Sequence, residues 1–241
     1  MKDRKKAVKA VIITAISLIV VYIFFQALSG FLFTSQLFNV KTVTTNDRSI
    51  DLTYLLGKNI FTLDLEREAQ KLLNRFQDYN RIYLVRRLPD SIAVYLKKRE
   101  PLAYVRLYRY FAVDQYGVLF DTDNKDGFSA QLPIIFGLEN KIFGPKPGKS
   151  YRDVRELLLC LDLIREIKSV GALRKCAIKR IDVASPAQLS FYWQYIEVKI
   201  GESNISQKLR LLSSILTQLG ADLPKIKYID LRFKDPVIKY K

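Results

Sequence analysis

Hydrophobic and polar positions fall into three textures along this chain. Residues 10–40 contain no charged side chain, and their apolar positions run on without the gaps of a half-buried helix. About 20 such residues, rising about 1.5 Å each, cross a hydrocarbon core of about 30 Å, so the run predicts a transmembrane helix at 10–33. Next, residues 38–43 alternate with period 2 as a strand, and Thr44-Thr45-Asn46-Asp47 supplies a turn. Ser49 can cap a short helix to Leu56, which Gly57 ends. Thr62 opens a second, with Leu65, Ala69, Leu72, Leu73 and Phe76 at helical spacing. Strands at 82–87 and 91–98 follow, joined by Leu88-Pro89-Asp90. The order is β-α-α-β-β.

The third texture begins past Pro101, with a boundary expected near 98–105. Strand patterns occur at 110–113, 117–121 and 132–136. A Gly- and Pro-rich loop at 144–148 precedes an amphipathic helix over 151–169. Strands at 178–183, 188–193 and 195–200, a helix at 206–219, and strands at 227–233 and 237–240 complete the chain. Helices set among mostly hairpin-joined strands predict an α+β protein: an anchor helix, a β-α-α-β-β unit, then a mixed α/β domain on an antiparallel-rich sheet.

Charge orients the anchor. Lys2, Arg4, Lys5, Lys6 and Lys9 precede the apolar run against Asp3 alone, so residues 1–9 stay in the cytoplasm and the rest is exported. A cleaved signal peptide is the competing account, with Ala27-Leu28-Ser29 as a small-x-small site. Signal cores run only about 7 to 15 residues, whereas this one continues through Phe31-Leu32-Phe33, and we read it as retained. The net charge is +16. Because an exported domain rarely meets nucleic acid, none is expected as a partner; anionic lipid, wall polymers or an acidic protein suit the compartment, and scattered solvated Lys and Arg account for much of the excess. Export also permits a disulfide between Cys160 and Cys176. Cys160 lies in the apolar run Leu157-Leu158-Leu159-Cys160-Leu161, where a thiol acts as a small hydrophobe, and the pairing stays open.

Chemistry is sparse. The chain has no histidine, which removes Ser-His-Asp and Cys-His catalysis and His-ligated metals. Gly144-Pro145-Lys146-Pro147-Gly148-Lys149-Ser150 has the flavour of a phosphate loop, but its glycines are too close and two prolines remove backbone donors. Asp121-Thr122-Asp123-Asn124-Lys125-Asp126-Gly127 loosely resembles a calcium loop but places Lys125 at a ligand position and Leu132 where an acid is needed. Asp64 with Glu66, and Asp230 with Asp235, read as surface charge. No catalytic, cofactor-binding or metal residue is expected, and no cofactor.

One set of short patterns is collinear behind the anchor. It comprises Phe38-Asn39-Val40-Lys41, Gly57-Lys58-Asn59-Ile60-Phe61, Arg87-Leu88-Pro89-Asp90-Ser91-Ile92 and Lys98-Arg99-Glu100-Pro101-Leu102-Ala103. Further on come Val113-Asp114-Gln115-Tyr116-Gly117-Val118-Leu119-Phe120, Leu132-Pro133-Ile134-Ile135-Phe136-Gly137, Ile200-Gly201, Lys208-Leu209 and Ile229-Asp230-Leu231-Arg232-Phe233. In these the chain resembles the FtsQ/DivIB cell-division proteins over nearly its whole length. The resemblance implies a cytoplasmic tail at 1–9, a transmembrane helix at 10–33, a POTRA domain at 36–104 and a β-domain at 105–241. It also implies a non-enzymatic divisome scaffold, single-pass in the inner membrane. Its partners would be bitopic FtsB/DivIC-like and FtsL-like proteins, with the lipid bilayer contacted through the anchor.

The partner-binding candidates are Val237, Ile238, Lys239 and Tyr240, a terminal strand whose unpaired backbone groups can accept an added strand, with Arg232 and Phe233 beside it. Lysine at an edge also blocks pairing, so Lys239 and Lys241 fit either role. Where the family often ends its first POTRA strand with Gly, Thr45-Asn46-Asp47 stands here, and the chain stops at Lys241 without the long tail of some relatives. A POTRA-bearing chaperone or transport component is the alternative; it predicts repeated units or a barrel.

Overall fold

In the computed structural model, which describes residues 2–121, 132–171, 173 and 178–241, the chain divides into two compact units, Met1–Lys97 and Lys98–Lys241. Helix α1 (Lys2–Thr34) opens the first. From Ile12 onward its apolar side chains turn outward on all sides, and Leu18, Phe24 and Phe25 are each 67% exposed. A helix in water hides such groups on one face, whereas one that is apolar all round suits lipid. Its apolar part, Ile12–Thr34, is 23 residues long, enough to cross a bilayer.

The rest of the first unit is a three-stranded sheet in the order β1-β3-β2 backed by one helix. β1 (Thr42–Thr45) lies parallel to β3 (Ser91–Lys98), so the chain crosses over through α2 (Leu65–Arg75) and β2 (Tyr79–Arg87) before the turn into β3. Leu55, Ile60, Leu72, Ile82, Ile92 and Val94 fill the space between helix and sheet. Three details differ from the sequence pattern. The first predicted helix is a single 3-10 turn, Thr53–Leu55, because eight residues before Gly57 are too few to repay helix nucleation and Asp51 instead accepts from the Thr53 N–H at 2.9 Å. α2 is capped by Asp64, which accepts from the Arg67 N–H at 3.0 Å, and not by Thr62. The first strand begins later than the alternation suggested, since residues 36–38 form a 3-10 turn. It also runs into the expected turn, because the Asn46 side chain bonds both backbone groups of Leu96 at 2.8 Å and prolongs the ladder.

The second unit carries nine strands in the order β12-β11-β10-β9-β8-β7-β4-β5-β6. They are β4 (Ala103–Arg106), β5 (Tyr110–Val113), β6 (Leu119–Phe120), β7 (Ile134–Phe136), β8 (Ile178–Asp182), β9 (Ser190–Trp193), β10 (Ile196–Lys199), β11 (Ile226–Asp230) and β12 (Val237–Tyr240). Hairpins make five of the eight pairings antiparallel. The parallel pairs β7-β8 and β10-β11 are bridged by α3 (Arg155–Ser169) and α4 (Ile205–Leu219). β4 escaped the sequence pattern. Its first three residues are buried, so it lacks the alternation that marks a half-exposed strand.

Register explains the core. Phe111, Val105, Ile135, Ile181, Phe191, Val198, Ile229 and Ile238 are successive cross-strand partners, a row from β5 to β12. Leu157, Leu161 and Ile164 from α3 and Leu209 and Leu212 from α4 belong to the same core. Gly137 closes β7 at φ +93, and a Cβ there would come within 2.9 Å of the Val183 carbonyl, so only glycine fits. Asp114, 3% exposed, accepts from the Tyr116 and Val118 N–H groups and from Arg99 at 2.6 Å, fixing the β5-β6 turn.

Candidate functional site

The site sits where β11 hands the chain to the last strand. Asp230, 5% exposed, ends β11 and accepts from three groups of Arg232: backbone N–H at 3.0 Å, Nε at 3.0 and 3.2 Å to its two oxygens, and Nη2 at 2.7 Å. That guanidinium, paired to the carboxylate through its Nε–Nη2 edge, holds the Asp230 carboxyl below its ordinary value. Gly201 lies against the arginine at φ +66, a backbone conformation that favours glycine, and a Cβ added there would stand 3.4 Å from the Arg232 Cγ. The guanidinium also lies 5.6 Å from the centre of the Phe233 ring. Phe233 is 63% exposed, an aromatic held in water by a charged neighbour.

β12 forms one border of the nine-stranded sheet. Its partner on one side is β11, in register Asp230↔Val237 and Ile229↔Ile238. Ile238 packs on the core, while Val237, Lys239 and Tyr240 are exposed. The Lys241 N–H donates inward to the Lys225 carbonyl at 2.8 Å. Since peptide groups along a strand point alternately to either side, Lys239 also donates inward, and Ile238 and Tyr240 direct their N–H groups away from the sheet.

The opposite border is closed. β6 is two residues long, and Leu119 donates to the Lys149 carbonyl at 3.1 Å and accepts from the Gly148 N–H at 2.7 Å. The Tyr151 N–H bonds the Gly117 carbonyl at 2.9 Å. This is the loop with the flavour of a phosphate cradle. Three of its backbone donors are committed to protein: Lys146 N–H to the Tyr151 hydroxyl at 2.8 Å, Gly148 N–H to Leu119, and Lys149 N–H to the Lys146 carbonyl at 3.2 Å. The segment is an edge cover.

Other candidates resolve plainly. Among the described residues no group of three or more His, Cys, Asp or Glu side chains could hold a metal ion. Asp64 is a helix cap and Asp230 an arginine partner. Residues 122–131, with most of the calcium-like loop, and Cys176 lie outside the described residues; Asp121 pairs with Arg109 at 2.7 Å. Cys160 is a buried free thiol, and burial pushes its pKa up, so it stays protonated. The structure thus brings Arg232, Phe233, Val237, Ile238, Lys239 and Tyr240 to one corner. Sequence reasoning missed Asp230 and Gly201 as the pieces that hold Arg232; the Asp-x-Arg spacing was a local signal for the first, and the second is a contact between distant segments.

Comparison with known proteins gives the class of this fold. The description "Cell division protein FtsQ/DivIB, C-terminal" matches residues 103–232, and the chain belongs to the FtsQ/DivIB family of non-enzymatic cell-division proteins. The match ends at Arg232, before β12. Similar curated proteins are each called "Cell division protein FtsQ". The one from Syntrophotalea carbinolica is 27% identical over 83% of this chain and 72% of its own length. The Koribacter versatilis protein is 25% identical over 76% of this chain and 52% of its own. The Geotalea daltonii protein is 23% identical over 76% and 65%. The chain thus spans less than two thirds of the latter two relatives.

Proposed function

We propose that this protein is a membrane-anchored scaffold of the bacterial division complex that receives an extended segment of an FtsB/DivIC-like partner as an added strand along β12. An FtsL-like protein joins the same assembly, and the whole links early division proteins to septal wall synthesis. The observation that supports this is the β12 border, uncovered among the described residues, with the outward N–H groups of Ile238 and Tyr240 beside an exposed Phe233. Added backbone bonds supply affinity and side chains such as Phe233 and Arg232 supply selectivity. α1 anchors the chain once in the inner membrane with its basic end in the cytoplasm, and the unit after it, over residues 36–104, acts as a POTRA domain preceding the β-domain at 105–241.

The test is Ile238→Pro, which deletes an outward donor while leaving the inward ladder bonds of Val237 and Lys239 in place. Calorimetry of the protein in detergent with the exported part of the FtsB-like partner should show capture lost, with circular dichroism unchanged. Full affinity in the folded variant rules out strand addition here.

A further inference from the structure

The small sheet has an end as well as edges, and that end is built like a membrane contact. β1 and β3 begin level with each other, Thr42 opposite Ser91, and Lys41 donates its N–H to the Asp90 carbonyl at 2.8 Å. The β2-β3 turn therefore lies beside the point where the chain leaves α1. The segment at 57–60 is held there too: Val40 and Ile60 donate to the Lys58 and Phe38 carbonyls at 2.9 and 2.8 Å.

This end is joined to the helix itself. Asn59 Nδ2 donates to the carbonyls of Leu32 at 2.9 Å and Phe33 at 3.1 Å, terminal acceptors that a helix leaves unpaired. Phe33 meets Phe61 edge-on at 6.5 Å, and Phe38 meets Phe31 at 6.0 Å and Phe61 at 5.1 Å. A span of 23 residues is long enough to cross the hydrocarbon, which would put its last turn, and with it Asn59, near the interface.

Two large apolar side chains stand bare at this end, Leu37 at 60% and Leu88 at 62% exposure. Segments 37–41, 57–60 and 86–91 contain Lys41, Lys58, Arg86 and Arg87 against one acid, Asp90. Arg86 is spent on the Ile60 and Leu63 carbonyls and Arg87 on the Tyr95 hydroxyl, neutral partners that leave both charges without an acid among the described residues; Lys41 pairs with Asp90 at 3.3 Å, and the charge of Lys58 acts on Glu68. Apolar tips ringed by cations are the composition of a surface that rests in the interfacial region of an anionic bilayer.

We propose that the helix-proximal end of the first unit is a lipid-binding surface, with Leu37 and Leu88 inserted among headgroups and Lys41, Arg86 and Arg87 facing anionic phospholipid. The unit is thereby held at a fixed tilt on the bilayer instead of swinging on a tether. This rests on α1 being a membrane anchor.

The test uses the full chain in nanodiscs of brominated anionic phospholipid, with Trp193→Phe removing the single native tryptophan and single tryptophans introduced as probes. Leu88→Trp and Leu37→Trp should be quenched severalfold more than Arg48→Trp, which lies at the far end of β1, and Val21→Trp in mid-helix should be quenched strongly. Adding Arg87→Gln should lower the quenching of Leu88→Trp in anionic discs. Quenching of Val21→Trp with Leu88→Trp no different from Arg48→Trp overturns the surface while sparing the anchor. Loss of quenching at Val21→Trp overturns the anchor, and the surface with it.

Discussion

The two borders of the nine-stranded sheet face the same hazard and are built in opposite ways. At β6 a glycine- and proline-bearing loop folds back and satisfies both backbone groups of Leu119. At β12 four residues run along the border with no such cover among the described residues, and an exposed aromatic stands at their entrance. Natural sheets blunt their edges against stray pairing. A protein that closes one border and leaves the other open protects the first and offers the second to an added strand, and this difference is what supports the binding proposed at β12.

The largest expected effect is the loss of partner capture in Ile238→Pro described above. Lys239→Pro sharpens the comparison, because it removes an inward ladder donor: unlike Ile238→Pro it should lower the unfolding temperature as well as binding, as thermal melts will show. Next comes unlocking the closed border. Gly148→Pro deletes the donor to the Leu119 carbonyl and forbids the native φ of +79, leaving a buried acceptor unpaired at a cost of about 1 to 3 kcal/mol. Denaturant titration should report that loss, and calorimetry should show undiminished binding at β12. If capture falls with it, the two borders are not independent.

Smaller changes probe the corner itself. Phe233→Ala and Arg232→Ala should weaken binding by about 1 to 4 kcal/mol, the range of interface anchors, and Phe233→Ala should leave stability untouched because the ring is exposed. The smallest effect is in pH. Arg232 lowers the Asp230 carboxyl below its ordinary value near 3.8, so the ion pair's contribution to stability is complete above that value and is lost as pH falls through the depressed native one. Asp230→Asn should remove this acid-side component from a pH series of unfolding curves.

Much of the fold was legible along the chain, and the reasons it was not complete are physical. β5 and β12 match their expected bounds residue for residue, at 110–113 and 237–240. β4 was hidden by burial on both faces, and Asp51 and Asp64 displaced the expected caps through local hydrogen bonds. The family patterns around Asp114, Gly137 and Arg232 were visible as strings, but their causes are contacts between distant segments: Arg99 on Asp114, Val183 against Gly137, Gly201 beneath Arg232. Val237, Ile238, Lys239 and Tyr240 were readable as a strand, whereas Arg232 and Phe233, read as the end of the strand before it, lie past the end of β11. That β12 forms a border was expected from its place at the chain's end; that the loop at 144–150 covers the other depends on strand order, which no local pattern encodes.

Hydrogen exchange of the protein with and without the exported part of the FtsB-like partner tests the open border most directly. Strand addition predicts that the amides of Ile238 and Tyr240 gain protection while that of Leu119, already bonded to Lys149, does not change. Partner binding that leaves Ile238 and Tyr240 exchanging at their free rates contradicts it.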